Sequence, residues 1–203
     1  MSKASPSLDG VLGFYSLLQQ YRAIERRVLV KDSDRRENDV EHSFSLAMLA
    51  WYVNQSYALN MDTEKLLKYA LAHDLVEVYA GDTYFYSEHK DPVEKKEREE
   101  KAARKLQEEL SEFPELHTAI ANYEKREDRE SKFIYALDKI EPMVTIYLDG
   151  GRSWRKDNIS LEMIKTGKVK KIAEDETVEA LFNQLIERLE AGEKELFPGN
   201  AHE

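Results

Sequence analysis

The chain contains no cysteine. Disulfides, thiolate zinc sites and a cysteine nucleophile are thereby excluded. Glycine and proline are sparse, eight and five in 203 residues, and no sustained alternation of apolar and polar residues marks a strand. The longest apolar stretches, such as Leu46 to Val53, fall far short of the roughly 20 residues needed to cross a bilayer. No long apolar segment follows Met1 in the manner of a signal peptide, so the expectation is a cytoplasmic protein with no membrane partner. Positive charge is in deficit: 30 Lys and Arg against 40 Asp and Glu give a net charge of −10. Such a chain repels a phosphate backbone, which argues against a nucleic-acid partner. A metal and a few local cations can still reverse the field inside a pocket.

What is present is a globular composition, 41% hydrophobic, with a heavily solvated surface, 34% charged. The length suits one domain with a real core, and no internal repeat or low-complexity linker divides residues 1–203. The chain reads as all-α. A first helix is expected from about Leu8 to Val30, with Val11, Leu12, Tyr15, Leu18 and Ile24 as its apolar stripe, then a charged loop from Lys31 to Glu37. Asn38 and Glu41 have the spacing of a capping box and start a second helix that reaches about Leu59. Asp62 caps a third, which runs to a stop near Gly81. Asp91, Pro92 and Glu94 start a fourth, which ends before Pro114. Further helices are expected over Pro114 to Lys125 and over Arg129 to Leu148, the latter stopped by Gly150-Gly151. One or two terminal helices fill about 160–191.

The third helix is apolar almost all round, from Leu66 and Leu67 to Val78 and Tyr79, which is the mark of a central helix. Yet it carries His73, Asp74 and Glu77. Spacings of three and four residues put Glu77 on the side of Asp74 and His73, while adjacent residues are about 100° apart and can converge on one atom. A buried carboxylate costs several kcal/mol unless it is paired or bound to a metal. Pairing with an Arg or Lys of another helix would account for these groups taken alone. Two further helices repeat the anomaly. His42 is in line with Leu46, Leu49 and Val53, and Asp138 interrupts the apolar run of Phe133, Ile134, Leu137, Ile140 and Val144.

His42, the pair His73-Asp74, and Asp138 resemble the H…HD…D pattern of the HD-domain metal phosphohydrolases. The flanking residues are similar to the 5′-deoxynucleotidase branch of that family: Glu37 to Ser43, His73 through Glu77 to Asp82, and Leu137-Asp138-Lys139. The resemblance spans about Ile24 to Leu148 and implies an HD-domain helical bundle, with a metal-site core over about 24–148. It implies a metal held by His42, His73, Asp74 and Asp138. Two imidazoles and two carboxylates suit one divalent transition ion such as Mn, Co, Fe, Ni or Zn. It implies a catalytic role for Glu77 beside Asp74, either on the attacking water or on the leaving oxygen; a second reading of Glu77 is a carboxylate that fixes His73. Asp82 matches a sugar-contacting position. The phosphate-contacting cation falls on Arg27, or on Arg26 after a one-residue shift. Val28 stands where the bacterial enzymes have an aromatic residue that helps to select deoxyribose.

The implied reaction is hydrolysis of (deoxy)nucleoside 5′-monophosphates to nucleoside and phosphate, by direct attack of water and without a covalent phosphoenzyme. The resemblance also implies a homodimer, with terminal helices as its interface. Rival readings are an HD hydrolase of nucleoside triphosphates, cyclic nucleotides or an alarmone, with Arg152 as a further cation, and a nucleotide-binding protein without turnover. Lys139 is read as a support for phosphate or a partner for an acid. His89 lies in an aromatic loop as a surface histidine or a second-metal ligand, His117 on a helix surface and His202 in the tail. The charged run from Glu94 to Glu109 is read as a solvated helix.

Overall fold

A computed structural model describes residues 7–81 and 92–197. The order of elements is α1 (Leu8–Arg22), β1 (Glu25–Leu29), β2 (Arg36–Asn38), α2 (Asp39–Ser56), α3 (Thr63–Ala72), α4 (Glu77–Ala80), α5 (Pro92–Glu109), α6 (Pro114–Lys125), α7 (Arg129–Leu148), α8 (Arg152–Lys156), α9 (Leu161–Gly167), α10 (Val169–Ile172), α11 (Glu176–Ala191) and α12 (Glu193–Leu196). The fold is all-α in class. Its exception among the described residues is the antiparallel ribbon β1–β2, which pairs Glu25 with Asn38 and Leu29 with Arg36.

The ribbon corrects the expected first helix, which ends at Arg22 instead of Val30. The Ala23 N–H closes the last turn onto the carbonyls of Gln20 and Tyr21. Beyond it the strand does not alternate cleanly. Arg26 is half-buried, Arg27 is exposed, and Val28 and Leu29 are both buried. The register is irregular between Glu25 and Leu29, and the Leu29 N–H donates to Ser153 Oγ at 2.9 Å. A side-chain acceptor from α8 thus satisfies a backbone donor on the edge of β1 that faces away from β2.

The second helix begins as its sequence dictates. Asn38 Oδ1 accepts the Glu41 N–H at 3.0 Å, and Glu41 Oε2 accepts the Asn38 N–H at 3.1 Å, completing the capping box. Asp62, Asp128, Ser160 and Asp175 cap α3, α7, α9 and α11 in the same way, each with a side-chain oxygen on a first-turn N–H. The expected third helix is shorter than its apolar pattern suggests. It stops at Ala72, and the chain tightens into three-residue hydrogen-bond steps, Leu75 N–H to Ala72 O and Glu77 N–H to Asp74 O, before α4. Nor is it buried all round, since Leu71 is 52% exposed.

α2, α3 and α7 form the centre. Leu46 of α2, Leu66 of α3, and Phe133, Ile134 and Leu137 of α7 are the largest buried groups there. Each is worth about 1.5–3 kcal/mol of transfer free energy. A second cluster joins Leu17 and Tyr21 of α1 to Leu75, Leu106, Leu116 and Ile120, which anchors the turn just after His73-Asp74. Pro142 lies inside α7. Having no N–H, it cannot bond the Asp138 carbonyl four residues back, so that carbonyl lacks its usual intrahelical donor although α7 continues through it. Gly150 and Gly151 end α7 with φ of +64° and +78°. A Cβ on Gly151 would lie 2.9 Å from the Leu196 carbonyl oxygen, so α12 closes against a position only glycine fits.

Candidate metal centre

Each of the three central segments delivers one or two donors to one point. His42 enters from the first turn of α2, His73 and Asp74 from the turn after α3, and Asp138 from the middle of α7. One ligand atom from each lies within 4.8 Å of all the others. His42 Nε2 is 3.0 Å from Asp138 Oδ1 and 3.9 Å from Asp74 Oδ2. His73 Nε2 is 3.0 Å from Asp74 Oδ2 and 3.8 Å from Asp138 Oδ1. An ion bound at about 2.1 Å sets neighbouring donors about 3 Å apart and opposite donors about 4.2 Å apart, and the four spacings fall within that range. His73 Nε2 is buried without a hydrogen bond, an orphan that a cation would satisfy. The residues therefore fit a divalent ion.

The ring orientations are set from behind. His73 Nδ1 lies 2.9 Å from the Ala70 carbonyl, which can only accept, so Nδ1 carries the proton. In the neutral ring the Nε2 lone pair then faces the cluster. His42 Nδ1 lies 3.0 Å from Glu141 Oε2, one turn of α7 beyond Asp138. Glu141 Oε1 in turn accepts from Thr145 Oγ1 at 3.1 Å. A carboxylate behind a histidine that faces a metal fixes the tautomer and raises the basicity of the ligand. Lys139 Nζ pairs with Asp138 Oδ2, leaving Oδ1 toward the histidines.

The electrostatics of the metal-free site follow from this crowding. Burial pushes the Asp138 carboxyl up, but Lys139, His42 and His73 hold it well below the ordinary carboxylate range. Burial also opposes ionisation of Asp74, and His73 more than reverses it. Burial lowers the His73 imidazole, yet Asp74 and Asp138 carry it up to about 10. Burial and Arg26 lower His42, while Asp138 and Glu141 carry it up to about 8. Protons thus occupy the imidazoles where a divalent ion would compete for them.

The two arginines of β1 part company. Arg26 Nη1 is 3.2 Å from both Asp74 Oδ2 and Asp39 Oδ1, and its Nε is 3.6 Å from Glu37 Oε2. Arg27 is exposed and faces Asp157 at 3.8 Å. The strand therefore brings Arg26 to the cluster and turns Arg27 away from it. Val28 packs into the main core. Glu77 begins α4, and one of its oxygens lies within 4.8 Å of oxygens of Asp39 and Asp74. Arg152 is committed elsewhere, 2.8 Å from Asp149 Oδ2. His117 is half-buried instead of lying on the surface, with Nε2 2.8 Å from the Leu110 carbonyl. Asp82, His89 and His202 lie outside the described residues.

Four groups near the centre escape a reading of the sequence. Glu37 and Asp39 flank the capping Asn38, where acids are ordinary, and Glu141 sits one helical turn after Asp138. Only that last spacing could have signalled a role. Burial, then Glu141, pushes Glu37 up to about 7. The fourth is Lys168, the N-cap of α10, a helix that packs against α7. Burial, then Lys139, presses its ammonium down to about 8.

A family model described as HD domain matches residues 18–182. The solved structure of a predicted metal-dependent phosphohydrolase from Magnetospirillum magnetotacticum MS-1 is similar, with a TM-score of 0.77 at 27% identity, over 91% of this chain and 95% of that one. A conserved hypothetical protein from Pyrococcus furiosus matches with a TM-score of 0.58 at 23% identity, over 91% of this chain and 99% of its own. A protein from Pyrococcus horikoshii OT3 matches with a TM-score of 0.56 at 21% identity, over 89% and 99% respectively. At those identities the two archaeal likenesses speak to the fold alone. No curated protein matches the chain.

Proposed function

The chain belongs to the HD-domain family, and on that premise we propose that it is a metal-dependent phosphohydrolase that splits (deoxy)nucleoside 5′-monophosphates into nucleoside and phosphate. The observation that carries this reading is the meeting of His42, His73, Asp74 and Asp138 within 4.8 Å. The description of the Magnetospirillum protein as a predicted metal-dependent phosphohydrolase supports the reaction class. The monophosphate and the nucleoside rest on the resemblance of the flanking residues to 5′-deoxynucleotidases.

A divalent ion held by the four residues supplies Lewis acidity toward water and toward a phosphoryl oxygen. The protein does the rest. Glu77, on the Asp39–Asp74 side of the site, takes the proton of the attacking water as its oxygen bonds phosphorus. The bond from phosphorus to the 5′ oxygen breaks, and that oxygen leaves as the alcohol with a proton returned from the Glu77 carboxyl. Arg26 and Lys139 flank Asp74 and Asp138 and offset the charge of the substrate phosphate. With no cysteine in the chain, no thiol nucleophile is available to the step. Arg27 and Arg152 pair with acids away from the cluster, which leaves few cations for a triphosphate and favours the monophosphate reading.

The test is phosphate release from a panel of ribo- and deoxyribonucleoside 5′-monophosphates, with triphosphates as controls, on protein stripped of metal and reloaded with Mn, Co, Zn or Mg. Metal-dependent release from monophosphates, lost in Asp74→Ala, is the expected result. Turnover confined to triphosphates would move the substrate assignment. Metal binding with no turnover of any phosphate ester would overturn the reading as an enzyme of this class.

A further inference from the structure

A core-facing row near the C-terminus is interrupted by a charge. Leu161, Ile164 and Ile172 are buried, the two isoleucines completely. Lys168 stands midway between those isoleucines, four residues from each, a spacing that returns to one side of a helix. Thr166, Gly167, Val169 and Lys170 around it are exposed, whereas Lys168 is half-buried. The backbone holds it there. Lys168 is at once the C-cap of α9 and the N-cap of α10. Its carbonyl accepts the N–H groups of Lys171 at 2.9 Å and Ile172 at 3.1 Å.

The side it faces is the metal centre. α10 packs against α7. The charges acting on the Lys168 ammonium are, largest first, Lys139 and Asp138 of α7, Arg26 of β1, and Lys171 of α10. Such forces fall off with distance, so the ammonium is turned toward Asp138. Three of those four charges are positive, and a lysine turned inward among cations is held at a cost. Burial, then Lys139, presses it down to about 8 from the ordinary 10.5. Costs of that kind collect where a site is built for a ligand.

The charge around the centre indicates the ligand. Arg26 and Lys139 are already set against carboxylates of the cluster. Arg26 is 3.2 Å from both Asp39 and Asp74, and Lys139 pairs with Asp138 beside the Tyr135 ring. The charge of a divalent ion would be matched by Asp74 and Asp138. A phosphate monoester brings about −1.5 to −2 further charges, which calls for another cation.

We propose that Lys168 is a phosphate-binding residue of this centre, its ammonium meeting the phosphoryl oxygens of the substrate from the α9–α10 junction, beside Lys139. The proposal rests on the phosphohydrolase reading above and adds a residue that the H…HD…D pattern does not contain. Lysine suits the role as a point charge on a flexible stem.

The test is calorimetric titration of inorganic phosphate into the full metal-loaded chain, which needs neither turnover nor a choice of nucleoside. Lys168→Met keeps an unbranched apolar stem and removes the charge. It is expected to weaken phosphate binding about tenfold to a hundredfold, with the metal content of the wild type and, without phosphate, a melting temperature no lower than that of the wild type. Lys168→Arg should restore most of the affinity, and Lys170→Met, at an exposed neighbour, should bind as the wild type does. Unchanged phosphate affinity in Lys168→Met overturns the proposal and leaves the phosphohydrolase reading standing. A Lys168→Met chain that loses its metal or melts well below the wild type also overturns it, because the lysine then serves the fold. A wild type that holds metal and binds no phosphate overturns both.

Discussion

His42 Nδ1 lies 3.0 Å from Glu141 Oε2, so the carboxylate that orients this imidazole is supplied by the same helix that supplies Asp138. Asp138 and Glu141 are three residues apart on α7, one on each ring nitrogen of His42. Replacing Glu141 by Ala is expected to weaken metal binding about 10–100-fold and to leave a buried Nδ1–H without an acceptor, at about 1–3 kcal/mol. Glu141→Gln keeps an acceptor and should recover most of the affinity. Competition with a chromogenic chelator measures this; an unchanged affinity in Glu141→Ala contradicts the orienting role.

Metal-free protein should lose stability as pH rises through the alkaline range. His73 and His42 are carried above their ordinary value of 6.5, to about 10 and about 8. A group whose folded pKa is raised contributes stability that is complete below its unfolded value and is lost as pH climbs through the folded one. The loss should therefore run from about pH 6.5 to about pH 10. Asp74 and Asp138 are held below the ordinary 3.8, so their contribution is present above that value and fades in acid. Added metal displaces the imidazole protons, so its stabilising effect should grow with pH over the same window. Thermal melts with and without chelator check both signs.

Arg26 and Arg27 should differ sharply. Arg26 faces Asp39 and Asp74 at 3.2 Å, whereas Arg27 is exposed and 3.8 Å from Asp157. Arg26→Ala is expected to lower kcat/KM on the order of a hundredfold. Arg27→Ala should change stability by no more than about 0.5 kcal/mol and leave kcat/KM near that of the wild type. The reverse ranking in steady-state kinetics would place the phosphate on the other face of β1.

Gly151→Ala should destabilise the fold by about 1–3 kcal/mol without touching the metal site. Its φ is +78° and the added Cβ would meet the Leu196 carbonyl at 2.9 Å. Gly150→Ala, also at positive φ but with open space around it, should cost less. Denaturant melts of the two variants distinguish strain in the backbone from the clash.

The parts of this structure legible in the sequence are those decided locally. Asn38 with Glu41, Asp62, and Gly150-Gly151 are short-range signals, and the helices start and stop there. The inward turn of His42 and Asp138 was readable from their place in apolar stripes, and both are buried. What escaped is decided by tertiary contact. No glycine or proline marks the break after Ala72; the chain tightens there while Leu75 is held in the α1–α5–α6 cluster. The β1 ribbon lacks alternation because both of its last residues are buried, and Ser153, far along the chain, accepts a hydrogen bond from the Leu29 N–H. The choice between Arg26 and Arg27 depends on that ribbon, and no reading of a continuous helix could make it. Glu141 gained its meaning only once His42 was placed beside α7.

The central claim is that His42, His73, Asp74 and Asp138 together hold one divalent ion, and metal content after chelation, reloading and desalting tests it most directly. Elemental analysis should find about one ion per chain in the wild type, and a large loss in His73→Ala and in Asp138→Asn while circular dichroism still reports the helical fold. Wild-type protein that retains no Mn, Co, Fe, Ni or Zn, or folded variants that retain as much as the wild type, would contradict it.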